Sequence, residues 1–224
     1  MLILTEKLSI LTAAFTCLDG ENRMREELKK YMLEHKIVVI LRGVKPEEVI
    51  NVCETIAAAG IRFMEIPLNT PDALKSIKLA ADHFNDRGIH IGAGTVLTPE
   101  DVDAVSAAGG KYIISPNTDC AVIRRTRELG LLSIPGFATP TEAFTAIKAG
   151  ADMLKNFPCG TPESIAVLKS VIPLPILAVG GVSRENRNAF LKIADGLGVG
   201  IGIYRPGMSM EELAQSAKEF MEGI

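Results

Sequence analysis

Residues 89–115 read IHIGAGTVLTPEDVDAVSAAGGKYIIS and contain one full repeat of the pattern that decides the fold. A short apolar run, residues 89–93, is followed by the helix-start signal Thr98-Pro99-Glu100, a hydroxyl cap with proline and acid behind it. An alanine- and valine-rich stretch then leads to Gly109, a residue type that often ends helices, and to a second apolar run, residues 112–115. The stretch predicts strand, helix and strand in succession, which is one βα unit and the start of the next.

The same unit recurs about every 20 to 25 residues and supplies eight candidate strands. The predicted strands cover residues 37–41, 62–66, 89–93, 112–115, 131–134, 153–157, 176–179 and 197–201. Eight strands alternating with helices favour an α/β fold, the closed (β/α)8 TIM barrel, because closure leaves no strand edge exposed. An open doubly wound sheet is the alternative, but the sequence lacks the Gly-x-Gly-x-x-Gly and P-loop motifs that follow strands in such sheets.

Helix signals outline the rest of the predicted domain. Further start signals are Pro46-Glu47-Glu48, Thr70-Pro71-Asp72, Thr139-Pro140 and Thr161-Pro162, and Ser183 is a candidate cap after the seventh strand. Residues 21–35 form a charged amphipathic helix that is expected to close the bottom of the barrel. We expect one domain over residues 24–224, and an N-terminal extension, residues 1–23, that is disordered or not native.

Composition argues against several classes of protein. The 224 residues are 47% hydrophobic and 23% charged, as in soluble globular domains. A net charge of −3 argues against nucleic acid as a partner, and no stretch approaches the ~20 apolar residues of a membrane-spanning helix. The cysteines form no Cys-x-x-Cys pair and the histidines stand at no metal-ligand spacing, so we expect a cytoplasmic protein without a metal site.

In such barrels the chemistry gathers at the C-terminal ends of the strands. Arg42 follows the first strand, where it can bind a carboxylate or phosphate or form a salt bridge on the rim. Glu65 lies among apolar residues of the second strand, and burial would raise its pKa toward the range useful for proton transfer, unless a lysine pairs with it. After the third strand, Thr95 in the motif GAGTV offers a hydroxyl to the barrel mouth, but the motif alone favours a tight turn that needs glycine for a positive φ.

The sixth strand carries the strongest signal. Alternation places Met153, Lys155 and Phe157 on one face, so an inward orientation of this face buries the lysine ammonium. Burial lowers the pKa of a lysine and yields a free amine that attacks carbonyl groups. The alternative is a lysine that points outward between helices. Lys155 and Glu65 on one barrel favour the functional interpretation.

Glycine-rich turns follow the seventh and eighth strands, at Gly180-Gly181 and at Gly198-Val199-Gly200. Barrels commonly bind phosphate at these two places, through backbone N–H groups and a helix N-terminus. Glycine also serves tight turns, and that interpretation stays open for either turn alone.

Together these motifs resemble the class I 2-keto-3-deoxy-6-phosphogluconate (KDPG) and 4-hydroxy-2-oxoglutarate aldolases. The resemblance covers roughly residues 24–220 and rests on ILRG (40–43), EIPLN (65–69), GAGTV (92–96), PG (135–136), LK (154–155), FP (157–158) and VGGV (179–182). ILRG, EIPLN and ATPTEAFTAIKAGA (138–151) are most similar to the 2-keto-3-deoxy-6-phosphogalactonate branch. The resemblance implies a homotrimer of barrels that cleaves a 2-keto-3-deoxy sugar acid, 6-phosphorylated, to pyruvate and an aldehyde such as glyceraldehyde 3-phosphate, without metal or cofactor.

The resemblance also implies a role for each motif. Lys155 matches the Schiff-base lysine, Glu65 the general acid and base, and Thr95 a ligand of the pyruvyl carboxylate. Arg42 is expected to supply the positive charge that the phosphogluconate branch takes from an arginine at the position of Asn69. The other substrate-binding residues implied are Phe157, Val179, Gly180, Gly181, Gly200 and Ile201. Two differences lie near the phosphate end: Ile201 stands where the family usually has serine, and the loop after Pro158 is shorter.

Two other functions stay open at this point. A phosphate-binding barrel isomerase or epimerase would share the glycine-rich turns and needs no imine. A catalytically idle, oligomeric ligand-binding barrel is the non-enzyme alternative, which the intact Lys155 and Glu65 do not support. Trapping of pyruvate by borohydride distinguishes the aldolase from both.

Overall fold

The computed structural model describes residue 20 and residues 22–224. The strands are β1 (Ile37–Ile40), β2 (Phe63–Pro67), β3 (His90–Gly94), β4 (Tyr112–Ile114), β5 (Leu132–Ile134), β6 (Gly136–Phe137), β7 (Leu154–Asn156), β8 (Ile176–Val179) and β9 (Gly196–Val199). The helices are α1 (residues 22–35), α2 (Val49–Ala58), α3 (Ala73–Phe84), α4 (Pro99–Ala107), α5 (Cys120–Glu128), α6 (Pro140–Ala149), α7 (Pro162–Lys169), α8 (Arg187–Leu191) and α9 (Met210–Met221). No helix in this part of the chain is long and apolar enough to cross a membrane.

The expected extension, residues 1–23, lies mostly outside the described residues. Residues 20, 22 and 23 are described, and all three are helical. Residues 22 and 23 therefore belong to the helix that precedes the first strand, rather than to a separate segment.

All strands form one parallel sheet in the order β5-β4-β3-β2-β1-β9-β8-β7-β6. β5 and β6 are two parts of one strand, separated only by Pro135, so the two ends of this order meet and the sheet closes into a barrel. Proline has no N–H to give to a strand ladder, and the carbonyl of Pro135 accepts from the N–H of Lys155 at 2.9 Å. The predicted (β/α)8 barrel is confirmed, with its fifth strand divided at Pro135.

Several predicted helix boundaries agree with the structure. Thr98 and Thr139 form capping boxes at the starts of α4 and α6, each with the acidic residue three positions later. Thr161 caps α7 by accepting from the N–H of Ser164. Gly150 ends α6 with a φ of 101°, a conformation that glycine adopts without strain.

Two predicted helix starts on the first half of the chain are wrong. α2 begins at Val49 rather than at Pro46, because the preceding residues form a turn. Before α3, Asp72 has a φ of 52° and caps nothing with its side chain. Thr70, the expected cap, accepts a hydrogen bond from the N–H of Gly43 instead. The hydroxyl thus joins two loops at the C-terminal end of the barrel.

The barrel interior is filled by the inward side chains of the strands. The buried interior cluster consists of Met32, Val38, Phe63, Tyr112, Ile114, Leu132, Ile134, Met153, Leu177 and Val179. Met32 comes from α1, so this helix closes the N-terminal end of the barrel, as predicted. A larger cluster lies between the outer faces of the strands and the surrounding helices.

A buried ion pair fastens α1 to the barrel. Nε of Arg25 donates to Oδ1 of Asp152 at 3.1 Å, and Oδ2 of Asp152 accepts from the N–H of Ser133 at 2.8 Å. Asp152 lies just before β7, so these contacts hold the helix against the N-terminal ends of the strands.

Candidate active site

Glu65 lies in the middle of β2, whose residues are all buried. Its side chain points into the barrel, because Phe63 belongs to the interior cluster and side chains alternate along a strand. Glu65 is 2% exposed. It pairs with Ile40 of β1 and with Gly92 of β3, and its carboxyl group lies against Gly94 of β3.

The glycines of β3 make room for two polar side chains. A Cβ at Gly94 would overlap Oε1 of Glu65, and a Cβ at Gly92 would overlap the ring of Tyr112. Neither glycine has a positive φ, so the tight-turn interpretation of this motif is wrong. The motif contains small residues because a carboxyl group and a phenol ring lie against β3.

Lys155 is the middle residue of β7 and is 6% exposed. Met153 belongs to the interior cluster, so alternation places Lys155 inside the barrel as well, and the outward-pointing alternative is wrong. Nζ of Lys155 lies 4.7 Å from the centroid of the Phe157 ring. The ring face is a favourable neighbour for an ammonium group and limits the access of water to the amine.

Burial shifts the pKa values of Glu65 and Lys155 toward each other. It raises the pKa of the Glu65 carboxyl group, while Lys155 and Arg42 oppose that rise. It lowers the pKa of the Lys155 amine, with Glu65 acting against this fall and Arg42 adding to it. Among the described residues, neither group forms a hydrogen bond and no ion pair within 4.0 Å joins them. The arrangement can supply a free amine together with a carboxyl group that holds its proton to a higher pH than an exposed one.

Arg42 follows β1 and is exposed at the C-terminal end of the barrel. Its Nη1 donates to Oδ1 of Asn69, which follows β2, at 2.5 Å. The rim salt bridge considered for Arg42 is wrong for the described residues, since no carboxylate oxygen there lies within 4.0 Å of the guanidinium. The remaining N–H donors of Arg42 are therefore available to an anion.

Thr95 follows β3 with a φ of 55°. This left-handed conformation is unusual for a β-branched residue and carries strain of roughly 1–3 kcal/mol, which is typical of functional sites. Thr95 is half-buried and follows Gly94, which borders the Glu65 carboxyl group. Thr95 is therefore the next residue along the chain from the glycine that borders the buried acid.

A cavity of about 440 Å³ opens at the C-terminal ends of β1, β8 and β9. It brings together these predicted site residues: Arg42, Phe157, Val179, Gly180, Gly181, Gly200 and Ile201. Glu65, Lys155, Thr95 and Asn69 do not line it. Lys155 adjoins it through the Phe157 ring, and Asn69 through its hydrogen bond to Arg42. The candidate site thus consists of a buried acid and amine inside the barrel and an open cavity beside them.

The far wall of the cavity offers few polar side chains. Ile201 is 81% exposed there. Ser183 lines the wall, but its hydroxyl donates to Oε2 of Glu185 at 2.6 Å. Ser183 also starts no helix, because α8 begins only at Arg187 and has five residues, so the helix N-terminus predicted at this turn is wrong. The glycines of the two turns bring only backbone atoms to this wall.

Sequence analysis missed Cys159, which connects the loop after β7 to the turn after β8. Its N–H donates to the carbonyl of Val179 at 2.8 Å, and its thiol to the carbonyl of Gly180 at 2.7 Å. A lone cysteine has no partner at a characteristic spacing, so no pattern in the sequence could have indicated this contact.

The other candidate ligands and nucleophiles of the described residues form no second centre. Among residues 20 and 22–224, no group of three or more His, Cys, Asp or Glu side chains is arranged to hold a metal ion. Burial raises the pKa of the Cys53 thiol to about 12, which makes this cysteine a poor nucleophile at neutral pH.

Comparison with known proteins agrees with this geometry. Residues 28–213 match the family model of the KDPG and KHG (4-hydroxy-2-oxoglutarate) aldolases. The 2-dehydro-3-deoxy-6-phosphogalactonate aldolase of Escherichia coli (strain K12) is 42% identical over 191 residues, which cover 83% of this chain and 93% of that protein. A solved structure of native KDPGal is 43% identical and has a TM-score of 0.80. The match covers 82% of this chain and 91% of that chain.

A more distant solved structure carries a reaction intermediate. The KDPG aldolase of Legionella pneumophila, with pyruvate captured at low pH as a covalent carbinolamine, is 26% identical with a TM-score of 0.72. The match covers 84% of this chain and 91% of that one. Taken with the buried amine and acid of the barrel, these likenesses show that the chain belongs to the KDPG and KHG aldolase family and is a lyase.

Proposed function

We propose that this chain cleaves a 6-phosphorylated 2-keto-3-deoxy sugar acid, KDPG or its galacto epimer, to pyruvate and glyceraldehyde 3-phosphate through an imine on Lys155. The observation that carries the proposal is the buried, inward-facing amine of Lys155 near the buried carboxyl group of Glu65. Two likenesses support it: the E. coli relative is named for the phosphogalactonate substrate, and the Legionella relative holds pyruvate as a covalent carbinolamine.

Imine formation begins with the free amine of Lys155. Nζ attacks C2 of the substrate, the ketone oxygen takes a proton, and loss of water from the resulting carbinolamine gives an iminium. The lowered pKa of Lys155 increases the fraction of free amine. The raised pKa of Glu65 increases the fraction of protonated carboxyl group, which can protonate the departing hydroxyl.

Cleavage uses the iminium as an acceptor of electrons. The Glu65 carboxylate, directly or through water, removes the proton from the C4 hydroxyl, and the C3–C4 bond breaks to leave an aldehyde and an enamine. Glu65 then returns the proton to C3. Hydrolysis of the imine releases pyruvate and restores the Lys155 amine, so both groups end in their starting states.

Arg42 and Thr95 are proposed to bind the carboxylate next to C2 and so hold the ketone against the amine. Asn69 acts on Arg42, because its hydrogen bond fixes one end of the guanidinium. The phosphate end of the substrate would lie in the cavity, against the backbone N–H groups of the glycine turns. With isoleucine at position 201, we expect weaker phosphate binding than a serine there would give.

Reductive trapping tests this proposal directly. Pyruvate and borohydride should attach a reduced three-carbon group to the chain, and peptide mass spectrometry should place it on Lys155. An adduct on another lysine, or none, would overturn the aldolase mechanism. A phosphate-binding isomerase or an idle barrel would give no adduct at all.

The role of Glu65 is tested by Glu65→Gln, which keeps the shape of the side chain. Exchange of pyruvate methyl protons with deuterium, followed by NMR, should slow by roughly two to four orders of magnitude, the usual effect of losing a general acid or base. Exchange at the wild-type rate would assign the proton transfer to another group.

We further propose a cytoplasmic homotrimer that needs no metal or cofactor, because the imine itself accepts the electrons of the broken bond. The family resemblance supports the trimer, and the described cysteines Cys53, Cys120 and Cys159 are free, as is usual in a reducing compartment. Light scattering should give three times the chain mass, and activity should survive a strong chelator. A monomer or a chelator-sensitive enzyme would contradict these two statements.

A further inference from the structure

Tyr112, the first residue of β4, is a fully buried side chain of the barrel interior. Its ring centroid lies 5.9 Å from that of Phe63 on β2. Its hydroxyl has no hydrogen-bond partner among the described residues. Because an unpaired buried hydroxyl is unfavourable, such groups are rare and call for a physical explanation.

Three adjacent strands place Tyr112 and Glu65 on either side of a glycine. Glu65 pairs with Gly92, and the pairing of Ala93 with Ile113 sets Tyr112 level with Gly92. A Cβ at Gly92 would overlap ring carbons of Tyr112, so the phenol lies across β3. The ring therefore extends from β4 toward β2, the strand that carries Glu65.

We propose that Tyr112 is a positioning residue for Glu65: its hydroxyl donates a hydrogen bond to the carboxylate, directly or through one water molecule, whenever Glu65 is ionised during the reaction. A hydrogen-bond donor beside Glu65 favours the ionised form of its carboxyl group, which burial disfavours. The inference rests on the proposed role of Glu65 in proton transfer. The Tyr112 hydroxyl affects the reaction only through its effect on Glu65.

Two cations also act on the Glu65 carboxyl group. Lys155 from β7 and Arg42 from the loop after β1 both favour its ionised form. Lys155 becomes part of the imine during the reaction and cannot hold the carboxylate in one orientation. The hydroxyl of Tyr112 is neutral and buried in the interior cluster, so it can hold the Glu65 carboxylate in one orientation during the reaction.

The groups around Tyr112 keep it protonated. Burial, and then the nearby Glu65 and Cys53, raise the pKa of the phenol well above its usual range. On β3, His90 stacks on Phe63 at 5.1 Å, and burial lowers the pKa of this histidine to about 4. The Tyr112 hydroxyl is therefore a donor throughout the neutral range, so the titration of Glu65 can be followed without that of the phenol.

The test replaces one oxygen atom. Tyr112→Phe keeps the ring and removes the hydroxyl, and Tyr31→Phe is the matched control, because its hydroxyl donates to the carbonyl of Gly88 at 3.4 Å, away from Glu65. The pH dependence of pyruvate methyl exchange is measured at saturating pyruvate. The acid limb is the pH range over which the exchange rate falls on acidification, and its midpoint should rise by about one pH unit in Tyr112→Phe because the carboxylate has lost a donor. At a pH just above the wild-type midpoint, the exchange rate should fall about threefold to tenfold.

Four outcomes contradict the inference. If wild-type protein takes no borohydride label on Lys155, the proposed function fails and the role of Tyr112 fails with it. If the label forms and Tyr112→Phe keeps the wild-type acid limb, the inference about Tyr112 alone is wrong. If thermal unfolding shows a loss of stability with an unchanged limb, Tyr112 is merely structural. Equal shifts in Tyr112→Phe and Tyr31→Phe would also contradict a local effect on Glu65.

Discussion

The barrel buries charged groups at both of its ends, and β7 connects the two places. At the N-terminal end, Asp152 accepts from Nε of Arg25 at 3.1 Å and from the N–H of Ser133 at 2.8 Å. At the C-terminal end, Lys155 and Glu65 are about as deeply buried, yet they form neither a hydrogen bond nor an ion pair within the described residues.

The difference separates a structural pair from the pair proposed to react. Burial raises the pKa of Asp152, but the Ser133 N–H and the cation of Arg25 oppose the change at direct contact. Among the residues that the structure describes, no hydrogen bond or ion pair offsets the burial of Lys155 and Glu65. Burial therefore lowers the pKa of Lys155 and raises that of Glu65. Changes at the N-terminal end should therefore affect stability, whereas changes at the C-terminal end should affect chemistry.

The largest effect is expected from Lys155→Met. Cleavage of the sugar acid should fall by about 10⁴-fold or more, because the proposed nucleophile is lost. The free energy of unfolding, measured in urea, should stay the same or rise, since an apolar side chain of similar length replaces a buried amine. A variant that keeps appreciable imine-dependent cleavage, or unfolds at markedly lower urea, would remove the distinction between the two ends.

The next effect is at the N-terminal end, in Asp152→Asn. Unfolding free energy should fall by about 3–5 kcal/mol, because Arg25 is left buried without its carboxylate. Folded protein should still form the pyruvate adduct on Lys155. Loss of the adduct in a protein that remains folded would show that the two ends are not independent.

Asp195→Asn is the matched control for this change. Oδ2 of Asp195 also accepts from a strand N–H, that of Ile176, at 2.8 Å, and Oδ1 pairs with Lys169 at 2.7 Å. Asp195 is 29% exposed, so water screens the pair and its loss should cost only about 1 kcal/mol. Equal destabilisation by the two variants would mean that burial does not set the strength of these pairs.

The smallest effect is expected in the open cavity, from Ile201→Ser. The hydroxyl should raise kcat/KM for the phosphorylated sugar acid by roughly tenfold or less, since a hydrogen bond to a charged group is worth about 1.5–3 kcal/mol when shielded and position 201 is exposed. The unphosphorylated analogue is the internal control and should react unchanged. A similar gain for both substrates would show that position 201 does not face the phosphate.

Strand periodicity predicted which residues share a face in the buried half of the candidate site. It grouped Met153, Lys155 and Phe157 on one face, and the structure shows that this face points into the barrel. The capping boxes at Thr98 and Thr139 were equally predictable, because every partner lies within four residues. Local patterns report local structure reliably when no distant group competes for the same atoms.

Distant partners explain what the sequence could not show. Thr70 looked like a helix cap, but its hydroxyl accepts from Gly43, a residue of another loop. The glycines of β3 suited a turn as well as a cavity until the positions of Glu65 and Tyr112 across the neighbouring strands were known. Ser183 lies beside Glu185, which takes its hydroxyl, so the predicted cap starts no helix.

The pH dependence of imine formation at Lys155 measures whether the buried amine is the nucleophile. Wild-type protein would be mixed with pyruvate across a range of pH, quenched with borohydride at short times, and the adduct on Lys155 measured by peptide mass spectrometry. A buried amine without a direct ion pair should give a midpoint clearly below the ~10.4 of an ordinary lysine, so that labelling is already rapid at neutral pH. A midpoint at the ordinary lysine value, or an adduct on a different lysine, would contradict the proposed role of the buried Lys155 amine.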